Sequence, residues 1–174
     1  MPGYFGGAQA FANTVPYSEN RGFTGRFSDA QDGRASDRID MTTFATAHEI
    51  AHQWWAHQVI GSDQQGVTML SETFAQYSAL LVMEEIYGSD QVRRFLRFEL
   101  DNYLRNRNME AVEEVPLARV ENQAYIHYNK GGVVMYYLRN EVGEDVVNRS
   151  LARLLREYAF HGAPSRPPTR RTHH

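Results

Sequence analysis

The string His48-Glu49-Ile50-Ala51-His52 is the strongest chemical signal in the chain. Successive residues of a helix are about 100° apart around its axis, so His48 and His52 point within about 40° of each other and Glu49 lies about 60° from His52. Two neutral imidazoles so placed are suited to zinc, and the neighbouring carboxylate can take a proton from water. The plain alternative is a charged helix surface on which the three residues meet by accident. No cysteine is present, so any metal must be held by His, Asp or Glu. A third ligand is offered by Leu70-Ser71-Glu72-Thr73-Phe74-Ala75, which sets Glu72 among apolar neighbours one turn into the next helix. A buried carboxylate needs a partner, and two His with one Glu would leave a fourth metal position open for water. The alternative for Glu72 is a local cap or ion pair.

These residues resemble the zinc aminopeptidases typified by aminopeptidase N and leukotriene hydrolase, which are gluzincins. That family follows HExxH with Gln-Trp, as Gln53-Trp54 do here, and its later Asn-Glu-Gly-Phe-Ala string is approximated by Ser71 to Ala75. Its Tyr-x-Lys-Gly motif is matched by Tyr128-Asn129-Lys130-Gly131. The resemblance covers about residues 7–142. It implies a thermolysin-like catalytic domain with one zinc ion per chain on His48, His52 and Glu72. Glu49 would be its general base and Tyr128 its oxyanion donor, with Tyr125 a lesser candidate for that role. The implied substrate is a peptide cut near its amino terminus.

Three departures qualify the likeness. Gln53 to Ser71 makes nineteen residues, one more than the family's usual spacing, and the loop Gly61-Ser62-Asp63-Gln64-Gln65-Gly66 can absorb it. The family's Gly-Ala-Met-Glu-Asn motif falls on Gly7-Ala8-Gln9-Ala10-Phe11, so Ala10 stands where the family has the glutamate that binds the substrate amine. An alanine cannot hold an ammonium, although the backbone of Gly7 and Ala8 can still pair with an extended peptide. Finally, the family's flanking domains lie outside this sequence, and residues 1–161 read as a catalytic domain excised from a larger protein. The phrasing around Trp55 and Thr73 is also similar to peptidase-like domains fused to bacterial transporter-permease-like membrane proteins. That likeness supplies a rival: a zinc-binding module with a binding or regulatory role and little turnover.

The elements that must position these groups can be read from periodicity and punctuation, and they give a mostly α chain with a small β edge at the start. Residues 3 to 17 alternate small, aromatic and β-branched types between glycines and Pro16, as one or two short strands would. Residues 19–40 are polar and read as a long loop. Asp40 can cap a helix over Met41 to Val59; a second helix, Val67 to Tyr87, buries Met69, Leu70, Phe74, Tyr77, Leu80, Leu81 and Met83. A third spans Val92 to Arg105, a fourth about Gln123 to Val142, and a fifth Glu144 to about Phe160. Gly131 and Gly132 inside the fourth each cost roughly 1 kcal/mol against alanine, which close packing would offset. Trp55 shares the ligand face and reads first as packing, His57 lies about 140° from His52 and reads as a bystander, and Glu84 and Glu85 read as solvated charges. Residues 162–174, rich in Pro and Arg, read as a disordered tail.

Composition sets the remaining bounds. The chain has 174 residues, a formal net charge of −3 and 42% hydrophobic content, which describe one globular unit rather than a disordered one. The sequence pI near 6.2 gives no basic footprint for nucleic acid. No signal peptide or apolar run of spanning length is present, so a membrane would enter only through parts of a larger protein. Compartment and oligomeric state are left open.

Overall fold

The computed structural model describes residues 7–18 and 39–161. Asp40 starts the helical body as expected: its carboxylate accepts from the Thr43 amide at 2.9 Å and from the Tyr87 hydroxyl at 2.6 Å, capping helix α1, Met41–Ala51. A π-helical turn, Met69–Thr73, runs into α2, Phe74–Tyr87, which ends at Gly88 with φ +81°. α3, Ser89–Met109, comes directly after it. A second π turn, Ile126–Lys130, opens α4, Gly131–Val142, and α5, Glu144–Tyr158, completes the set.

α2 is the central element because its apolar residues are not confined to one stripe. Ala79, Leu80 and Met83 pack with Phe44 of α1, Val92 and Phe95 of α3 and Tyr136 of α4. Phe74, Ala75 and Tyr77 join Ala51, Trp55, Val59, Met135 and Val147 in a second cluster. A helix apolar all round is a buried one, and Phe74, Tyr77, Leu80 and Met83, which the sequence assigns to the core, are indeed buried. Met69, Leu70 and Leu81, also assigned to the core, are only partly buried.

Four expectations need correction. α1 stops at Ala51 rather than Val59. The next residues form tight turns in which Trp54 N–H donates to the Ala51 carbonyl and Ala56 takes φ +121°, with one parallel bridge between Trp55 and Val59. In a continuous helix the Trp55 carbonyl would pair with the Val59 amide; here that amide donates to Trp54 at 2.9 Å, leaving the Trp55 carbonyl for a side chain. The β edge is no continuous strand among the described residues, only antiparallel bridges Ala8 to Tyr17 and Phe11 to Thr14. Pro16, without an N–H, cannot extend the ladder. Glu84 is not a solvated charge: it pairs with Arg139 and accepts from the Tyr136 hydroxyl at 2.8 Å, tying α2 to α4, and Arg139 also pairs with Glu144 at the start of α5. α3 is four residues longer than expected at its carboxy end. The long loop at 19–38 and the tail at 162–174 lie outside the described residues, as does any test of the boundary at 161. No described helix is long and apolar enough to cross a membrane.

The glycine pair behaves as its cost required. A Cβ on Gly131 would fall 2.6 Å from the Thr73 hydroxyl oxygen and 2.8 Å from its methyl, and one on Gly132 would fall 3.1 Å from Gln76. At Gly131, α4 therefore lies too close to the Thr73 side chain for a Cβ to fit, while at Gly132 the approach to Gln76 is tight but could be relieved by a small shift.

Candidate metal and catalytic site

His48 sits in the last turn of α1 and His52 is its C-cap, so both imidazoles leave the helix on one face. Glu72 comes to them from the first π turn. The two Nε2 atoms stand 3.1 Å apart, and Glu72 Oε2 lies 3.3 Å from His48 Nε2 and 3.4 Å from His52 Nε2. Ligand bonds of about 2.0–2.1 Å at tetrahedral angles would place donor atoms about 3.3–3.4 Å apart, close to all three edges of this triangle. The chemistry of the donors agrees. His52 Nδ1 is 2.9 Å from the Trp55 carbonyl, which fixes that nitrogen as the N–H and turns the Nε2 lone pair toward Glu72. Two imidazole nitrogens and one carboxylate oxygen facing a common point are what a divalent ion requires, and His48, His52 and Glu72 are the one such group among the described residues.

The electrostatics of the triad are those of a site arranged around charge. Burial alone would raise the carboxyl of Glu72, but the flanking imidazoles and the Tyr128 hydroxyl outweigh it and hold it well below the usual carboxylate range. Burial works against charge on His52, and Glu72, the Trp55 carbonyl and Glu49 more than offset it, so its pKa lies above the ordinary value. Tyr128 is pushed far above the usual tyrosine range, first by burial and then by the negative charges of Glu72 and Glu49. It stays protonated, as a hydrogen-bond donor must.

Two cavities meet beside this triad, at His48, Glu49 and Tyr128. One of about 280 Å³ is lined by His48, Glu49, His52, Glu72, Tyr128, His57 and residues 8 to 10. The other, about 580 Å³, shares His48, Glu49 and Tyr128 and extends past Phe44 to Glu99, Glu110, Tyr125 and Asn129, with Gly7 and Ala8 at its wall. The structure thus brings most of the candidates named from the sequence to these cavities: Glu49 and Tyr128 line both, the three candidate donors of a metal line the smaller, and Gly7 and Ala8 line the larger. Tyr125 lines only the larger cavity, where it donates to Glu110. Ala10 lines the smaller cavity and brings no carboxylate to it.

Several groups escaped the sequence reading. His57 lines the smaller cavity because the chain unwinds after Ala51, whereas a continued helix would have turned it away. Trp55 packs as expected, its ring against Phe74 and its indole N–H on Ser78 at 3.0 Å, yet its carbonyl is what orients His52. Gln53 holds residues 7–18 in place: its amide donates to the Phe11 carbonyl at 2.9 Å and accepts from the Asn13 amide at 2.8 Å. Glu99 is 3% exposed and accepts from Asn129 at 2.6 Å and from Gln76. A signal for Glu99 was present, since it shares a helical face with Val92 and Phe95 and an acid on an apolar face must find partners.

Comparison with known proteins adds a family. Human endoplasmic reticulum aminopeptidase 2 is 25% identical over 169 residues, covering 94% of this chain and 17% of that protein. Aminopeptidase M1 of Arabidopsis thaliana is 27% identical over 172 residues, covering 94% of this chain and 18% of that protein. Bovine endoplasmic reticulum aminopeptidase 2 is 22% identical over 177 residues, covering 94% of this chain and 17% of that protein. The chain spans less than a fifth of the length of these relatives. No solved structure matches it significantly. Residues 27–166 match the peptidase family M1 domain, which is most of the chain and includes His48, His52 and Glu72, so this chain belongs to peptidase family M1.

Proposed function

We propose that this chain is the zinc-binding catalytic core of an M1 peptidase, thermolysin-like in fold, that hydrolyses peptide bonds. The observation that carries the reading is the triangle of donor atoms on His48, His52 and Glu72, with Glu49 and Tyr128 at the junction of two cavities beside it. A zinc ion held there would supply a Lewis acid and make nearby water acidic enough to react near neutral pH.

The chain's own residues do the rest. Glu49, one residue from His48 and facing both cavities, accepts a proton from the attacking water and returns it to the departing amine. Tyr128, held protonated by its surroundings, donates a hydrogen bond to the carbonyl oxygen as negative charge grows on it. The Trp55 carbonyl keeps His52 in one tautomer and orientation, so its lone pair is already directed. The rim at Gly7 and Ala8 gives an extended peptide a backbone to lie against. With Ala10 at the smaller cavity, no side chain there duplicates the family's amine anchor, so the reading commits to peptide hydrolysis and leaves a blocked amino terminus acceptable.

The test is elemental analysis of the purified chain together with turnover of free-amine and amino-blocked peptide reporters by the wild type and Glu49→Gln. Zinc near one per chain in both proteins, with hydrolysis at least about 10²-fold slower in Glu49→Gln, is the expected result. Cleavage of free-amine reporters alone would define an aminopeptidase despite Ala10. Bound zinc without turnover in either protein would replace the enzyme with the rival binding module, and failure to take up zinc would end the metal-site reading.

A further inference from the structure

Thr73 stands at the end of the first π turn, next in sequence to Glu72, where the Asn-Glu-Gly-Phe-Ala string it resembles has glycine. It is fully buried, and its side chain touches the other π turn in two ways. The hydroxyl donates to the carbonyl of His127 at 2.7 Å, 54 residues away and directly before Tyr128. The side chain also occupies the space over Gly131, one turn after Tyr128. A glycine at position 73 could make neither contact. Thr73 therefore grips the tyrosine-bearing turn on both sides of Tyr128 while being bonded to the residue that carries the Glu72 carboxylate.

We propose that Thr73 is a positioning residue, fixing the Tyr128 hydroxyl relative to the Glu72 carboxylate through the His127 carbonyl and the seat on Gly131. This rests on the peptidase reading for the meaning of Tyr128. The hydrogen bond sets how far the second π turn can slide along the first, and the glycine contact sets how near it can come. Both turns end in an amide shared between the wide i to i+5 pairing and a carbonyl three residues back, Phe74 N–H on Met69 O and Ser71 O and Gly131 N–H on Ile126 O and Tyr128 O, so the regular α-helical bond is missing at this point in each. A tertiary bolt is what keeps their two functional side chains in register.

The experiment compares Thr73→Ser, which keeps the donor, with Thr73→Val, which keeps the shape and removes it, both loaded with zinc. Expected for Thr73→Val is a fall in kcat of about tenfold or more with KM within twofold, and zinc affinity by chelator competition within threefold of wild type. Binding of a phosphinic dipeptide, whose tetrahedral oxygens need the same tyrosine, should weaken by a similar factor in calorimetry. Thr73→Ser should recover most of both. Equal phosphinate affinity in Thr73→Val and wild type overturns the proposal, as does loss of zinc in step with loss of rate, which would mean that Thr73 supports Glu72 alone. The binding arm needs no turnover, so it decides the role of Thr73 even where a wild type inactive on every reporter has removed the peptidase reading. Should Thr73→Val fail to fold, Gly131→Ala paired with Gly131→Ala/Thr73→Ala replaces it: folding restored by the double change, without recovered phosphinate affinity, supports the bolt, and recovered affinity overturns it.

Discussion

Ala56 carries backbone strain that its side chain makes costly. At φ +121° it occupies a region that residues with a Cβ rarely adopt, and such positions cost of order 1–3 kcal/mol each. The turn it allows brings His57 to the cavity wall and leaves the Trp55 carbonyl free to hold His52. Ala56→Gly should relieve the strain at some entropic cost in the unfolded chain, for a net gain of about 1 kcal/mol. In a chain of this size that raises the melting temperature by roughly 2–4 °C. A lower melting temperature in a calorimetric scan would show that the methyl group contributes packing that outweighs the strain. The two histidines were legible from the sequence because i, i+4 spacing on a helix is a local rule, whereas Glu72, on another element, was reached only through its apolar neighbours and the family's string. What holds each imidazole was not legible, since Trp55 orients His52 only once the helix has been interrupted without any Gly or Pro to announce it.

The helices differ in how completely periodicity described them. α2 matches its apolar pattern and α5 starts at Glu144 as expected, and the close approach at Gly131 and Gly132 answers the helix cost of two glycines. The π turns gave no sign, because one extra residue in a turn falls within the scatter of a 3.6-residue pattern, and their partners lie far off in sequence, as with Thr73 and His127. α3 carries Glu99, a buried acid on its apolar face. Burial raises the pKa of Glu99, and its hydrogen bonds from Asn129 and Gln76 only partly oppose that. A carboxyl with a folded pKa above its unfolded value contributes stability that is fully present below the unfolded value, near 4.5, and is lost as pH rises through the folded one. Glu99→Gln removes the charge and with it that loss. The melting temperature of the variant relative to wild type should therefore rise between pH 4 and pH 8, and a difference independent of pH would show that Glu99 carries no such burden.

Across the whole molecule, the triad of His48, His52 and Glu72 joins α1 to the entrance of α2, the central element of both apolar clusters, so an ion bound there should stabilise the fold and not merely decorate it. Free zinc at a thousand times its Kd would add about 4 kcal/mol by mass action. For a chain of this length that is roughly 8–16 °C in melting temperature. Chelation should remove the gain in the wild type and change nothing in His52→Ala; a wild-type melting curve indifferent to chelator would count against metal at the triad. The pair of π turns has a consequence for how such a chain can vary in length. An i to i+5 pairing encloses one residue more than an α-helix needs, so deleting a single residue inside either turn would close the ladder into continuous helix and rotate the amino-terminal side of the turn by about 100° relative to the carboxy-terminal side. Such a deletion would mend the helix and at the same time swing Glu72 or Tyr128 out of the cleft. Over these ten residues the smallest possible genetic change separates a folded chain from one that keeps its candidate site.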